Sequence, residues 1–156
     1  MPRDAAPWGR WIGLGLAALV VTAVVLVIRG GSQVPDEPVP VAWDQQTCAH
    51  CRMAVGQPGF AAELVTAEGD LYIFDDPGCL LRYLDERAPR VHRMWFHHPT
   101  EERWLDEAQV GFRVTDASPM GWGLAAAERA PGTLDLAAAR SHVAQRAATP
   151  DAGGAR

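Results

Sequence analysis

Cysteine is scarce in this chain of 156 residues: only Cys48, Cys51 and Cys79 are present. Three are too few for the disulfide framework that staples small secreted folds, and at most one bridge could form, leaving one thiol over. Positive charge is also short, with 14 Lys and Arg against 19 Asp and Glu and a formal net charge of −5. That balance disfavours polyanions, so nucleic acid is excluded as an expected partner. Charged residues make up 21% and hydrophobic residues 48%, which excludes disorder on compositional grounds. No acid, base and nucleophile stand together in a recognisable catalytic pattern, and the expectation is a protein that is not an enzyme.

Charge is missing altogether from Trp11 to Ile28, which reads WIGLGLAALVVTAVVLVI. As a helix at about 1.5 Å per residue the run spans about 27 Å, close to the thickness of a bilayer's hydrocarbon. A cleaved signal peptide has a shorter apolar stretch, about 7–15 residues, followed by small residues. Here Val27, Ile28 and Arg29 occupy that place. A lipoprotein needs a cysteine directly after the run, and the first is Cys48. A buried core helix fits poorly with all-round hydrophobicity near the N-terminus. The expectation is a retained transmembrane signal-anchor at 11–28, with 1–10 cytoplasmic because Arg3 and Arg10 precede the span and Arg29 follows it. Residues 29–43 hold glycines and three prolines and read as an extended stalk.

Two β-favouring runs, Phe60 to Thr66 and Leu71 to Phe74, flank Ala67-Glu68-Gly69-Asp70 and predict a hairpin. Asp75-Asp76-Pro77 offers an N-cap with proline at the first helical position, and Leu80, Leu81 and Leu84 follow at helical spacing, so a helix is predicted over 77–87. Pro89 ends it, and Val91 to His98 alternates as a strand. Further strands are expected at 103–105 and 110–115, a helix at 124–129, and an alanine-rich weak helix with a disordered tail over 131–156.

Chemistry concentrates in Cys48-Ala49-His50-Cys51-Arg52-Met53, where two thiols, an imidazole and a thioether fall within a few residues. Thiolate and thioether sulfur prefer Cu(I) over oxygen-seeking ions such as Mg or Ca. Cys51 and Met53 are two apart and would share a face on extended backbone. Met120 lies in a glycine-flanked loop and could supply a third sulfur. Other uses of Cys-x-x-Cys compete. Covalent haem needs histidine after the second cysteine, and Arg52 stands there. Zinc needs four ligands, yet the adjacent His97 and His98 would face opposite ways on a strand. A redox dithiol and a structural Cys48–Cys51 disulfide stay open, as does another soft ion such as mercury. Cys79, in the first turn of the predicted helix, reads more simply as a small buried hydrophobe than as a ligand. Asp75 and Asp76 have oxygen to offer a metal, but capping accounts for at least one of them.

The stretch from about Asp44 to Glu128 resembles the nitrous oxide reductase accessory protein family commonly called NosL. The resemblance rests on Cys48-x-x-Cys51-x-Met53, on Phe74-Asp75-Asp76 with Gly78-Cys79 behind it, on Trp95 to His98, and on Ser118-Pro119-Met120-Gly121-Trp122-Gly123. It implies an α/β (α+β) domain at 44–130 made of two related β-β-α-β units, preceded here by one transmembrane helix. It also implies a copper chaperone that binds Cu(I) at the outer face of the cytoplasmic membrane, with the domain facing the periplasm or cell exterior. The implied receiver is apo nitrous oxide reductase or another copper-accepting protein. Under the resemblance Cys51 and Met53 match a Cys-x-Met metal pair, Met120 a late methionine, and Cys48 the preceding cysteine of some members. This chain differs in having Arg52 where many members carry glycine, and a helix where many have a lipid anchor. Whether His50 or Cys79 joins the site is left open.

Overall fold

The computed structural model describes residues 8–30 and 34–149, excepting the side chains of 8–12 and 27–30. It divides into two units, Met1–Gln33 and Val34–Arg156. The first contains one helix, α1 (Trp8–Gly30). Over 13–26 its side chains are exposed, Leu14 by 64% and Leu19 by 69%. The Thr22 hydroxyl donates back to the Ala18 carbonyl at 2.8 Å, so no polar group is left open there. Among the described residues no helix is long and apolar enough to cross a membrane. The predicted anchor at 11–28 reaches past the described side chains at both ends.

The second unit begins as the hairpin and helix that the sequence predicts. Strands β1 (Ala62–Thr66) and β2 (Leu71–Phe74) pair antiparallel, α2 (Pro77–Arg87) follows, and β3 (Val91–His97) returns antiparallel to β1. Asp76 caps α2 by accepting from the Gly78 N–H at 2.7 Å, and Pro77 sits where no donor is needed. The helix stops at Ala88, whose φ of 45° is left-handed, with Pro89 behind it. A short β4 (Trp104–Asp106) completes a four-stranded sheet in the order β2-β1-β3-β4.

The second half departs from the expected repeat of β-β-α-β. Strands β5 (Val110–Val114) and β6 (Leu124–Glu128) form a separate antiparallel ribbon, and α3 (Leu136–Ala148) comes after both. Residues 124–129, predicted helical from their alanines, are therefore strand. Gly123 at φ 75° turns the chain into register with β5, and cross-strand pairing overrides a local preference worth only a few tenths of a kcal/mol per residue.

Phe96 of β3 and Phe112 of β5 meet edge to face, with centroids 5.0 Å apart, and join the sheet to the ribbon. Leu80, Leu81 and Leu84 of α2 and Ala139 and Val143 of α3 fill the same core. From Val34 onward the segment read as a stalk is laid against the domain. Val41 and Trp43 pack on the core, and the Val39 N–H donates to Glu63 Oε2 at 3.0 Å. The predicted disordered tail lies, from residue 150, outside the described residues.

Candidate metal centre

The loop that carries the first two cysteines is a closed turn. The Cys48 N–H donates to the Met53 carbonyl at 2.8 Å, and the Arg52 N–H to the Cys48 carbonyl at 3.1 Å. Arg52 takes a left-handed φ of 68° to close it. The Ala49 N–H donates to the Ile73 carbonyl at 2.9 Å, which stitches the turn to β2, just before the Asp75-Asp76 cap. Cys79 stands in the first turn of α2 beyond that cap. Turn and helix start thus converge, and the sulfurs of Cys48, Cys51 and Cys79 all lie within 4.8 Å of one another. Cys48 and Cys79 are fully buried, Cys51 half-buried, and none is in a disulfide.

Contacts among the three thiols push their acidities apart. A hydrogen bond from the Cys79 thiol pulls Cys48 down to about 5, against the opposing effect of burial, with help from the backbone amides of Asp75, Cys51 and His50. Cys79, as the donor to Cys48, is pushed far up, and burial adds to the effect. Burial raises Cys51 as well. The surroundings favour the thiolate at Cys48 and the thiol at Cys79 and Cys51, whose protons a soft cation would displace on binding.

Carboxylates stand beside the trio and are occupied otherwise. Asp75 accepts from the Gly56 N–H at 3.0 Å. Asp76 is fully buried; besides capping α2 it accepts from the Ser118 hydroxyl and, at 3.2 Å, from the Met120 N–H. Burial raises the pKa of both. His50 faces Glu86 at 3.6 Å and Trp122 at a centroid distance of 6.5 Å. Among the described His, Cys, Asp and Glu residues, the grouping that brings three donors together is the three cysteines.

Cys48 and Cys51 stand side by side. Cys79, read as a buried hydrophobe, is buried and also stands beside them. The sequence signal for it is the Asp76-Pro77 cap, which fixes Cys79 on the first helical turn. Met53 departs from the expected shared face: with Arg52 left-handed between them the backbone is a turn and not a strand, so Cys51 packs inward while Met53 is 56% exposed. Met120 is half-buried against the core, and its loop is tied rather than free. Asp76 holds one end, Arg146 donates to the Gly121 carbonyl at 2.6 Å, and Trp122 packs so closely on Gly78 that a Cβ there would fall 2.2 Å from it. This loop therefore lies across the start of the helix that bears Cys79.

No family model matches the sequence. No curated protein matches it. Among solved structures the chain is similar to the copper chaperone NosL from Shewanella denitrificans, with a TM-score of 0.47 and 16% identity, over 71% of this chain and 89% of that one.

Proposed function

We propose that this protein is a membrane-anchored, extracytoplasmic copper chaperone that carries Cu(I) as cargo. The observation that carries the reading is the three-sulfur cluster, with all ligand atoms within 4.8 Å of one another. Sulfur donors in that number suit a soft monovalent ion of low coordination number, and the half-buried Cys51 leaves a way in for exchange. The motif resemblance to the NosL family supports nitrous oxide reductase, whose copper-sulfide centre needs copper, as the receiver. What supports the anchor is the uncharged apolar run at 11–28 and the exposed apolar side chains along α1.

The test is a Cu(I) titration of the reduced full chain in detergent. One Cu(I) per chain with loss of thiol reactivity is expected, and zinc competing equally at neutral pH overturns the assignment in favour of a structural zinc site. Residence in the membrane is tested by carbonate extraction, which should leave the chain in the pellet. A dithiol oxidoreductase is the second reading, favoured by the lowered Cys48 thiol. Burial of Cys48 counts against it, since the attacking thiolate needs access. Reduction of a model disulfide by the metal-free chain would favour it.

A further inference from the structure

Beside the thiol turn lies a cavity of about 500 Å³ whose lining includes Arg52, Leu71, Tyr72, Ile73, Tyr83 and Arg87. Two arginines and two tyrosines are among its lining residues, and no Asp or Glu is. Arg82, Arg90, Arg93, Arg103 and Arg140 each face an acid at ion-pair distance. Among the described residues Arg52, Arg87, Arg113, Arg129 and Arg146 face none; Arg129 and Arg146 donate to backbone carbonyls instead, and Arg52 and Arg87 are the two that line the cavity. Arg87 stands in the last turn of α2, where its charge also suits the carbonyl end of the helix. Arg52 has no such local use, and it occupies a left-handed φ of 68° that any residue with a Cβ adopts at a cost and that glycine adopts freely.

We propose that this cavity is a carboxylate-binding site beside the thiol turn, taking a small organic di- or tricarboxylate between Arg52 and Arg87. Guanidinium and carboxylate are both planar and pair through two parallel N–H···O bonds, and two cations without an acid call for a dianion. Tyr72 and Tyr83, with centroids 5.1 Å apart, and the aliphatic Leu71 and Ile73 give the remainder of the ligand a mixed aromatic and apolar wall. The volume falls in the range of about 300–1,000 Å³ usual for small-molecule sites.

The experiment is calorimetric titration of the reduced, metal-free full chain in detergent, so its outcome is independent of the copper reading. The probes are citrate, succinate, a tetraglutamate peptide and inorganic phosphate. Citrate or succinate is expected to bind, and Arg87→Gln to weaken binding by about tenfold or more through loss of a charged hydrogen-bond donor. Arg52→Gly should weaken it similarly while raising the unfolding temperature, because glycine relieves the left-handed backbone. A merely structural arginine would not lose binding and gain stability together. Unchanged affinity in both variants, no binding of either small acid, or phosphate binding as tightly as citrate would overturn the proposal. Binding of the peptide alone would overturn the small-acid assignment in favour of an acidic segment of a partner protein.

Discussion

Asp76 accepts the backbone N–H of Met120 at 3.2 Å, and with its other oxygen caps the helix that presents Cys79. One buried carboxylate therefore sets the position of the helix start and of the late loop together. Asp76→Ala removes a cap and leaves the Ser118 hydroxyl and the Met120 N–H without an acceptor in a buried place. A loss of about 2–4 kcal/mol is expected, from a cap worth about 1 and buried orphan donors worth about 1–3. The urea midpoint reads it. Asp76→Asn keeps one acceptor oxygen and should lose less; a native urea midpoint in Asp76→Ala would mean that the carboxylate is not the tie.

Cys79 is the member of the trio that the Cys-x-x-Cys motif does not announce. Cys79→Ala removes a sulfur from the proposed Cu(I) site and also the donor that holds Cys48 down to about 5. Cu(I) affinity, measured by competition with a colorimetric chelator, should fall by about tenfold or more, comparable to Cys51→Ala. The fold should survive, since a thiol is a small side chain and truncating it to alanine costs little volume. Native Cu(I) affinity in Cys79→Ala would return Cys79 to the role of a packing residue.

Local signals account for what the sequence made legible. Asp76-Pro77 at one end and Pro89 at the other bracket α2 at 77–87, and alternating runs marked β1, β2 and β3 because each pattern is written within a few neighbouring residues. Residues 124–128 failed for the opposite reason: their strand identity comes from β5, a partner that alanine-rich composition says nothing about. The same holds for the site. Cys48 and Cys51 are neighbours in sequence and were found, whereas Cys79 joins them through the Ala49 to Ile73 hydrogen bond and the Asp76 cap, contacts made in folding. Extended backbone would put Met53 on Cys51's face, and the left-handed Arg52 breaks that alternation.

Glu63 is fully buried on β1, with one oxygen accepting from the Val39 N–H and the other without a partner. Burial raises its pKa from 4.5 to about 7. The folded chain therefore holds a proton that the unfolded chain has released, and the stability contributed by the protonated form is lost as pH rises from about 4.5 through about 7. Glu63→Gln keeps the acceptor for Val39 and cannot ionise. The unfolding temperature of the variant relative to the native chain should rise steadily between pH 5 and pH 8. A difference that is flat across that range would show that Glu63 titrates normally.

The two methionines separate by burial, and their variants should separate accordingly. Met53 is exposed on the thiol turn, so Met53→Leu should leave the unfolding midpoint within about 0.5 kcal/mol of native, as for ordinary surface changes. Met120 is half-buried in the loop tied to Asp76, and Met120→Leu conserves volume and apolar character, so its cost should stay below about 1.5 kcal/mol. Neither variant disturbs the three cysteines, which sets a background against which thioether ligation can be read. If Met120 caps the cluster from the loop across α2, Met120→Leu should weaken Cu(I) binding several-fold and speed its transfer to a chelator. Met53→Leu should act mainly on transfer rate, because an exposed sulfur meets the incoming ion and the receiver before the buried cysteines do. Native affinity and native transfer rate in both variants would confine the metal to Cys48, Cys51 and Cys79, and the thioethers would then be packing and surface residues only.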